Sequence, residues 1–336
     1  MKILFSSYVF RPSIGGIETV SEILAEEFVA AGHEVELITE TPGDVFGESH
    51  YRVNRRPGLK NLITLLQSSD LFFQNNISLR SLLPALLLKK RAIVVHQTWI
   101  RNARGKIGSI GRLKRMLLGR VTNVAISQAI ANDIARNSTV IPNPYRDELF
   151  RIVPTAAHNR TLVFVGRLVS DKGVGLLLRA LVQLRREEIK PDLTIVGIGP
   201  EQENLAALIR DLKLQDQVSF AGQRTGEELV RLLNQHRIMV IPSLWAEPFG
   251  VVALEGIACG CAIIGSEAGG LKEAIGPCGI TFENGNEGAL SDALKRLLRD
   301  KELEGSFRSA GPKHLERFRA REVACQYLQL IEKPAQ

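Results

Sequence analysis

The amino-acid sequence predicts an α/β protein made of two Rossmann-like parallel-sheet domains that face each other across a cleft. Short apolar runs alternate with amphipathic stretches from end to end, the pattern of parallel strands covered by helices. That pattern occurs twice, on either side of a polar, Pro-containing stretch from Pro142 to Arg160. At 336 residues the chain has the length of two ordinary domains.

In the first half, strands fit Lys2 to Ser7, Glu34 to Thr39, Leu71 to Gln74, Ala92 to His96, Asn123 to Ile126 and Thr139 to Ile141. Helical periodicity falls between them at Ile17 to Ala31 and Gln128 to Arg136. In the second half, strands fit Leu162 to Gly166, Leu193 to Gly197, Val218 to Ala221, Ile238 to Ile241, Ala262 to Gly265 and Gly279 to Phe282. Helices fit Val174 to Arg186, Glu201 to Leu212, Glu227 to Gln235 and Phe249 to Cys259. Gly311-Pro312 reads as a break, and Ala320 to Ile331 is helical in pattern beyond it. The predicted domains are 1–148 and 149–312, followed by a terminal segment, 313–336.

Composition is that of an ordinary globular protein, 45% hydrophobic and 24% charged. The first apolar run is too short for a signal peptide and meets Gly15-Gly16 at once, so it reads as a strand. No stretch approaches the roughly 20 apolar residues of a membrane span. The four cysteines, Cys259, Cys261, Cys278 and Cys325, lack a His or Cys pair at zinc spacing. Core thiols in a reducing compartment are expected, hence a cytoplasmic protein. The net charge of +7 is unevenly placed: no acidic residue lies between Asp70 and Asp133, whereas eleven Lys and Arg do.

Ligands of open parallel sheets bind beyond the carboxyl ends of the strands. After Ile238 to Ile241 comes Ser243-Leu244-Trp245-Ala246-Glu247-Pro248-Phe249-Gly250-Val251-Val252, with Glu255 eight positions past Glu247. A helix opened by Pro248 and Gly250 would aim the amides of Gly250, Val251 and Val252 outward, where they favour phosphate. Glu247 and Glu255 would then bracket that phosphate and accept from hydroxyls on either side; a capping Glu and a solvated Glu are the bland alternative. After Leu162 to Gly166, Arg167 and Lys172 stand in a loop that opens a helix, where two cations suit a diphosphate; surface pairing with Asp171 and Glu247 is the structural alternative. Gly197 and Gly199 allow either a close approach to a nucleotide base or an ordinary turn. Neither they nor Gly15 begin a complete Gly-x-Gly-x-x-Gly, which lowers a hydride-transfer reading. Gly15 and Gly16 open the first helix ahead of Glu18. His96 ends its strand, and on residue type alone a structural role competes with a functional one.

The pair Glu247 and Glu255 with Pro-Phe-Gly between resembles the Glu-x7-Glu motif of the retaining glycosyltransferases of family 4. Gly166-Arg167-Leu168-x3-Lys172-Gly173 is similar to the same family's pyrophosphate motif. Gly15-Gly16-Ile17-Glu18, Ser127, Ile141-Pro142-Asn143-Pro144 and Gly269-Gly270-Leu271-Lys272-Glu273 resemble its donor-side loop, hinge, domain boundary and Gly-Gly-x-Pro-Glu segment. Pro144 and Lys272 depart from the last two patterns, and Gln97 replaces the usual neighbour of the strand-end His.

The resemblance implies the GT-B fold, with Phe249 and Gly166 also on the donor side and a terminal helix crossing back onto the first domain. It implies transfer of a hexose from a nucleotide-diphosphate sugar to a hydroxyl acceptor, with retention. Glu247 and His96 would contact the sugar, Glu255 the ribose, and Arg167 and Lys172 the departing diphosphate. No metal or other cofactor is expected, since no Asp-x-Asp follows a strand.

The basic stretch includes Arg101, Arg104, Lys106, Arg112, Lys114 and Arg115, interleaved with Ile107, Ile110, Leu113, Leu117 and Leu118. Such a segment fits an anionic membrane surface, with a lipid-linked or membrane glycan as acceptor; a solvated basic face is the alternative. Nucleic acid is not expected, because Trp99 is the one aromatic residue in that basic segment to stack on bases. A nucleotide-sugar 2-epimerase and a non-catalytic nucleotide-sugar or glycan binding protein are the competing readings.

Overall fold

Strands that are apolar on both faces must be covered on both faces, and this requirement shapes the chain twice over. A computed structural model describes residues 1–13, 15–43, 50–101, 105–154 and 159–333. One unit comprises residues 1–145 with the segment from Phe318 onward, and the other Arg146–Arg317.

The first unit begins β1 (Lys2–Ser7), α1 (Gly16–Ala30), β2 (Glu34–Thr39), β3 (Arg52–Arg55), α2 (Leu59–Ser68), β4 (Leu71–Asn75) and α3 (Leu79–Leu87). It continues β5 (Ala92–His96), α4 (Ser109–Leu117), β6 (Thr122–Ala125), α5 (Gln128–Ile134) and β7 (Thr139–Val140). Its sheet is parallel, in the order β3-β2-β1-β4-β5-β6-β7. Every residue of β4 and β5 is buried, as apolar runs such as Ala-Ile-Val-Val require. β3 is absent from the sequence-derived elements because Arg-Val-Asn-Arg has no apolar run; it pairs only with β2, at an edge where charge is tolerated.

The second unit runs β8 (Arg160–Val165), α6 (Val174–Arg186), β9 (Leu193–Val196), α7 (Gln202–Asp211), β10 (Val218–Gly222), α8 (Gly226–Leu233) and β11 (His236–Ile241). Then follow α9 (Val251–Ala258), β12 (Ala262–Ser266), α10 (Leu271–Ile275), β13 (Gly279–Phe282), α11 (Glu287–Arg299) and α12 (Lys301–Leu315). Its parallel sheet has the order β10-β9-β8-β11-β12-β13. Leu162, Phe164, Leu177, Leu181, Ile195 and Val240 are among the side chains of its core. Each such residue contributes roughly 1.5–3 kcal/mol by leaving water.

The last helix, α13 (Ala320–Glu332), belongs to the first unit. Its Tyr327 is fully buried and meets Phe28 of α1 and Phe73 of β4 edge-on, at centroid distances of 6.5 and 5.6 Å. The Arg91 guanidinium donates to the last carbonyls of α13, Ile331 O at 2.7 Å and Leu330 O, a favourable charge at a helix C-terminus. The expected break at Gly311-Pro312 is corrected: α12 runs through it to Leu315. Gly311 there lies against Ile257, with room for little more than a hydrogen, and close packing on α9 outweighs the local penalty of Pro312. The chain accordingly changes units at 145/146 and 317/318, not at 148/149 and 312/313.

Strand order reverses between β1 and β4 in the first sheet and between β8 and β11 in the second. Those two points are where a sheet of this kind opens a crevice at its carboxyl edge.

Candidate active site

In the second unit, the loops that follow β8 and β11 flank the switch point, and they are locked together by backbone. The amides of Leu244 and Trp245 donate to Asp171 O at 2.8 and 3.3 Å. Gly173 has φ +71, and a Cβ there would sit 1.9 Å from Pro242 O, so only glycine lets the two loops touch. Lys172, just ahead of it, is thereby delivered to Glu247: Nζ donates to Oε1 at 2.6 Å. The Ser243 hydroxyl donates to the same oxygen, also at 2.6 Å.

Glu247 is fixed from behind as well. Its carbonyl accepts from the Gly270 amide at 2.7 Å, and it forms an isolated parallel bridge with Gly269. Gly269, at φ +85, lies so close that a Cβ would stand 2.1 Å from that carbonyl. Asn284 holds the same loops from β13, donating to Ser243 O at 2.9 Å and accepting from the Ala268 amide at 2.8 Å. Sequence reading did not single out Ser243 or Asn284, since nothing in an isolated Ser or Asn names its partner.

Of the two loop cations, Lys172 therefore pairs with Glu247, whereas Arg167 is exposed and its guanidinium has no partner among the described residues. α9 begins at Val251, two residues later than the periodicity implied, with Gly250 at φ 111 as its N-cap and no capping side chain. Its first N–H groups have no acceptor along the helix. Glu255 is half-buried on α9, and its carboxyl has no hydrogen-bond partner among the described residues. Burial pushes its carboxyl up to about 7, against the pull of the Arg146 guanidinium. Phe249 is corrected: its side chain is 2% exposed and part of the core, which leaves only its main chain to face a ligand. Val251 and Val252 are half-buried.

The glycines after β8 and β9 have an intramolecular reason. A Cβ on Gly197 would meet Gly166 O at 1.9 Å, and one on Gly199 would meet Leu168 O at 2.3 Å. Gly166 has Phe164 Cζ at 3.1 Å from such a Cβ. These contacts stack the loops; they do not depend on a nucleotide.

In the first unit, Gly15 precedes α1 in extended backbone, and a Cβ there would stand 2.7 Å from Glu18 Oε2. Gly16 faces open space. His96 is fully buried at the end of β5, with Nε2 3.1 Å from Asn123 Oδ1. Because the Asn123 amide donates to Leu118 O, its oxygen must face the ring, so Nε2 carries the proton. Nδ1 is then a bare acceptor, buried without a partner among the described residues. Burial lowers the imidazole to about 4, with the Asn123 hydrogen bond opposing and Lys114 assisting, so the ring is neutral at pH 7.

Gln97 belongs to a buried polar chain across the strand ends. It donates to Asn75 Oδ1 and Asn143 Oδ1, each at 2.9 Å, and accepts from Asn143 Nδ2 at 2.8 Å. Asn75 donates to Ser21 Oγ at 2.7 Å, and Ser21 lies 2.7 Å from Ser7 Oγ. The departures from the family pattern at Gln97 and Pro144 thus flank a satisfied network. Ser127 caps α5 by accepting from the Ile130 amide at 3.2 Å.

The basic stretch is less uniform than its sequence. Arg101 and Arg115 both pair with the buried Asp133, Arg101 Nε at 2.6 Å and Arg115 Nη2 at 3.5 Å from Oδ1, so neither is the open cation expected. Lys114 is half-buried and its pKa lowered by desolvation, which removes it from the outer face. Arg112 and Lys106 are exposed, and Arg104 lies outside the described residues. Leu117 and Leu118 are core residues at 6% and 1% exposure. Cys325 is exposed, unlike the other three cysteines. Among the described residues no helix is long and apolar enough to cross a membrane.

Two doubly wound parallel sheets, one carrying a cation–carboxylate pair beside an open helix start at its switch point, define the class of the GT-B transferases. Residues 146–314, half of the chain, match the family described as glycosyl transferases group 1, and the chain belongs to it. The chain is 37% identical over 141 residues to glycogen synthase of Mycobacterium tuberculosis, covering 41% of this chain and 34% of that protein. It thus spans about a third of that relative's length. It is 23% identical to N-acetyl-alpha-D-glucosaminyl L-malate synthase of Bacillus anthracis, over 94% of this chain and 93% of that one. The structure of Anabaena HepE in complex with UDP has the same fold, with TM-score 0.84 and 21% identity over 98% of this chain and 99% of that chain.

Proposed function

We propose that the chain transfers a hexose from a nucleotide-diphosphate sugar to a hydroxyl of a lipid-linked or membrane glycan, with retention and without a divalent metal. The observation that carries this reading is the Lys172–Glu247–Ser243 contact, with the exposed Arg167 in the same loop as Lys172 and α9 starting just after Glu247. Arg167, Lys172 and the amides of Gly250 to Val252 neutralise the diphosphate as charge builds on it. Glu255 accepts from the ribose hydroxyls and Glu247 from the sugar. The acceptor oxygen bonds to the anomeric carbon as the bond to the diphosphate breaks, and a diphosphate oxygen takes the acceptor's proton. UDP in the Anabaena neighbour supports a nucleotide donor. The enzyme acts in the cytoplasm, at the inner face of the cell membrane.

The test is incubation with a panel of nucleotide sugars, with and without glycan acceptors, after thermal stabilisation has selected the donor. Transfer is expected only with acceptor. Loss of one preorganised group at transition-state charge removes roughly 3 kcal/mol, so Lys172→Ala and Arg167→Ala should each lower turnover about a hundredfold in a folded protein. Epimerised donor formed without acceptor, or wild-type turnover by either variant, overturns the reading.

A further inference from the structure

Ser6 at the end of β1 and Ser81 in α3 are both buried, with their hydroxyl oxygens 3.1 Å apart. The buried Gln74 amide donates to Ser81 Oγ at 2.7 Å and to Ser78 O at 3.0 Å. Whichever serine donates to the other, one hydroxyl hydrogen of the pair is left without an acceptor among the described residues. Gln74 Oε1, just behind, is likewise buried without a partner among them. Buried polar groups in this state are rare, because each has given up its hydration for nothing.

The two serines line a recess at the carboxyl ends of β1 and β2, beside the point where strand order reverses. Its enclosed part holds about one water-sized group. Ile38, Pro57 and Leu62 give it an apolar wall. Ser78, the N-cap of α3, accepts no amide, so the first N–H groups of that helix have no acceptor along the helix or from its cap. Arg80 pairs with Glu40 and donates to Pro57 O at 3.2 Å, and both charged side chains line the recess. Tyr8, also of the lining, is 54% exposed.

We propose that this recess binds the hydroxymethyl group of a neutral hexopyranose, with the sugar ring over its mouth against Tyr8 and the Arg80–Glu40 pair. A hydroxymethyl brings a methylene for Ile38 and Leu62, and a hydroxyl that can accept the spare serine hydrogen and still donate. An anion is the poorer match, because Glu40 already meets the one cation of the lining. The residues assigned to the donor, Arg167, Lys172, Glu247 and Glu255, all belong to the other unit. The inference deepens the proposed function and rests on it only in making this sugar part of the acceptor.

The test is saturation-transfer NMR of the full-length protein with saturating UDP, using four probes: the methyl β-D-pyranosides of glucose, galactose, xylose and glucuronic acid. Glucoside or galactoside should bind, with the C6 protons receiving the most saturation. The xyloside, which lacks the hydroxymethyl, should bind about tenfold more weakly or worse. Ser81→Ala and Arg80→Ala should each weaken the hexoside about tenfold with little change in thermal melting, and Glu247→Gln should not weaken it. Arg80 is at the surface, so its variant keeps the test valid if Ser81→Ala disturbs Gln74. Absence of hexoside binding, leaving the recess to an ordered water only, overturns the inference. Equal binding of the xyloside overturns it, as does tighter binding of the glucuronide, which would put a carboxylate in the recess. Loss of binding in Glu247→Gln but not in Arg80→Ala assigns the sugar to the other unit and overturns it too. Binding is read without turnover, and stabilisation by UDP is read separately, so failure here and failure of the transferase reading are distinguishable.

Discussion

Glu255 shows how one carboxyl can report on ligand binding. Its folded pKa of about 7 lies above the ordinary 4.5, so the folded protein keeps a proton that the unfolded chain has lost over that window. The stability this contributes is full below pH 4.5 and is lost as pH rises through 7. Urea unfolding should therefore show wild type losing about 2 kcal/mol relative to Glu255→Gln between pH 5 and 8, allowing for partial exposure. Ribose hydroxyls donating to the carboxylate would draw its pKa down, so donor binding at pH 7 should release a substantial fraction of a proton, seen by calorimetry in buffers of different ionisation enthalpy. Binding with no proton released would remove Glu255 from the ribose. The strand-end positions of Arg167, Lys172 and Glu247, in the loops after β8 and β11, were legible because residue type and spacing coincide there. Their supports were not: Ser243, Asn284, Asn123 and the Asn75–Gln97–Asn143 chain owe their roles to partners up to 58 residues away.

Among elements, the strand-end loops are shaped by backbone contact, and Gly173 is the tightest case. Gly173→Ala adds a Cβ 1.9 Å from Pro242 O at φ +71 and must push the loop off its neighbour. It should lower stability by about 2 kcal/mol or more and uncouple Lys172 from Glu247, lowering turnover although both side chains remain. Gly226→Ala supplies the control: φ is +56, but nothing lies within 4 Å, so only the backbone penalty of about 1 kcal/mol applies and turnover should hold. Denaturant melts and initial rates on both variants check this, and equal rates would detach the loop contact from function. Central strands such as β5 and β11 could be read because burial on both faces forces continuous apolar runs. The edge strand β3 could not, and neither could the path of α12 through Pro312, where tertiary packing overrides a local signal.

At the scale of the whole molecule, α13 completes a unit whose other elements lie nearly two hundred residues earlier in the chain. Tyr327 is its principal contact, and its hydroxyl is buried without a partner among the described residues. Tyr327→Phe should thus stabilise the first unit by about 1 kcal/mol, because it removes an unsatisfied polar group and keeps the ring. Tyr327→Ala should cost about 3–5 kcal/mol by opening a cavity beside Phe28 and Phe73. Hydrogen exchange confined to β1, α1 and β4 would register both changes, and a destabilised Phe variant would show that the hydroxyl has a partner after all.

The discontinuity of the first unit also orders events on the ribosome. Residues 146–317 form an uninterrupted block that needs no segment made after it. The first unit, by contrast, lacks a wall of its aromatic cluster until α13 has been made. Premature termination between Arg317 and Tyr327 would therefore release a polypeptide whose second block is whole and whose first block is unfinished.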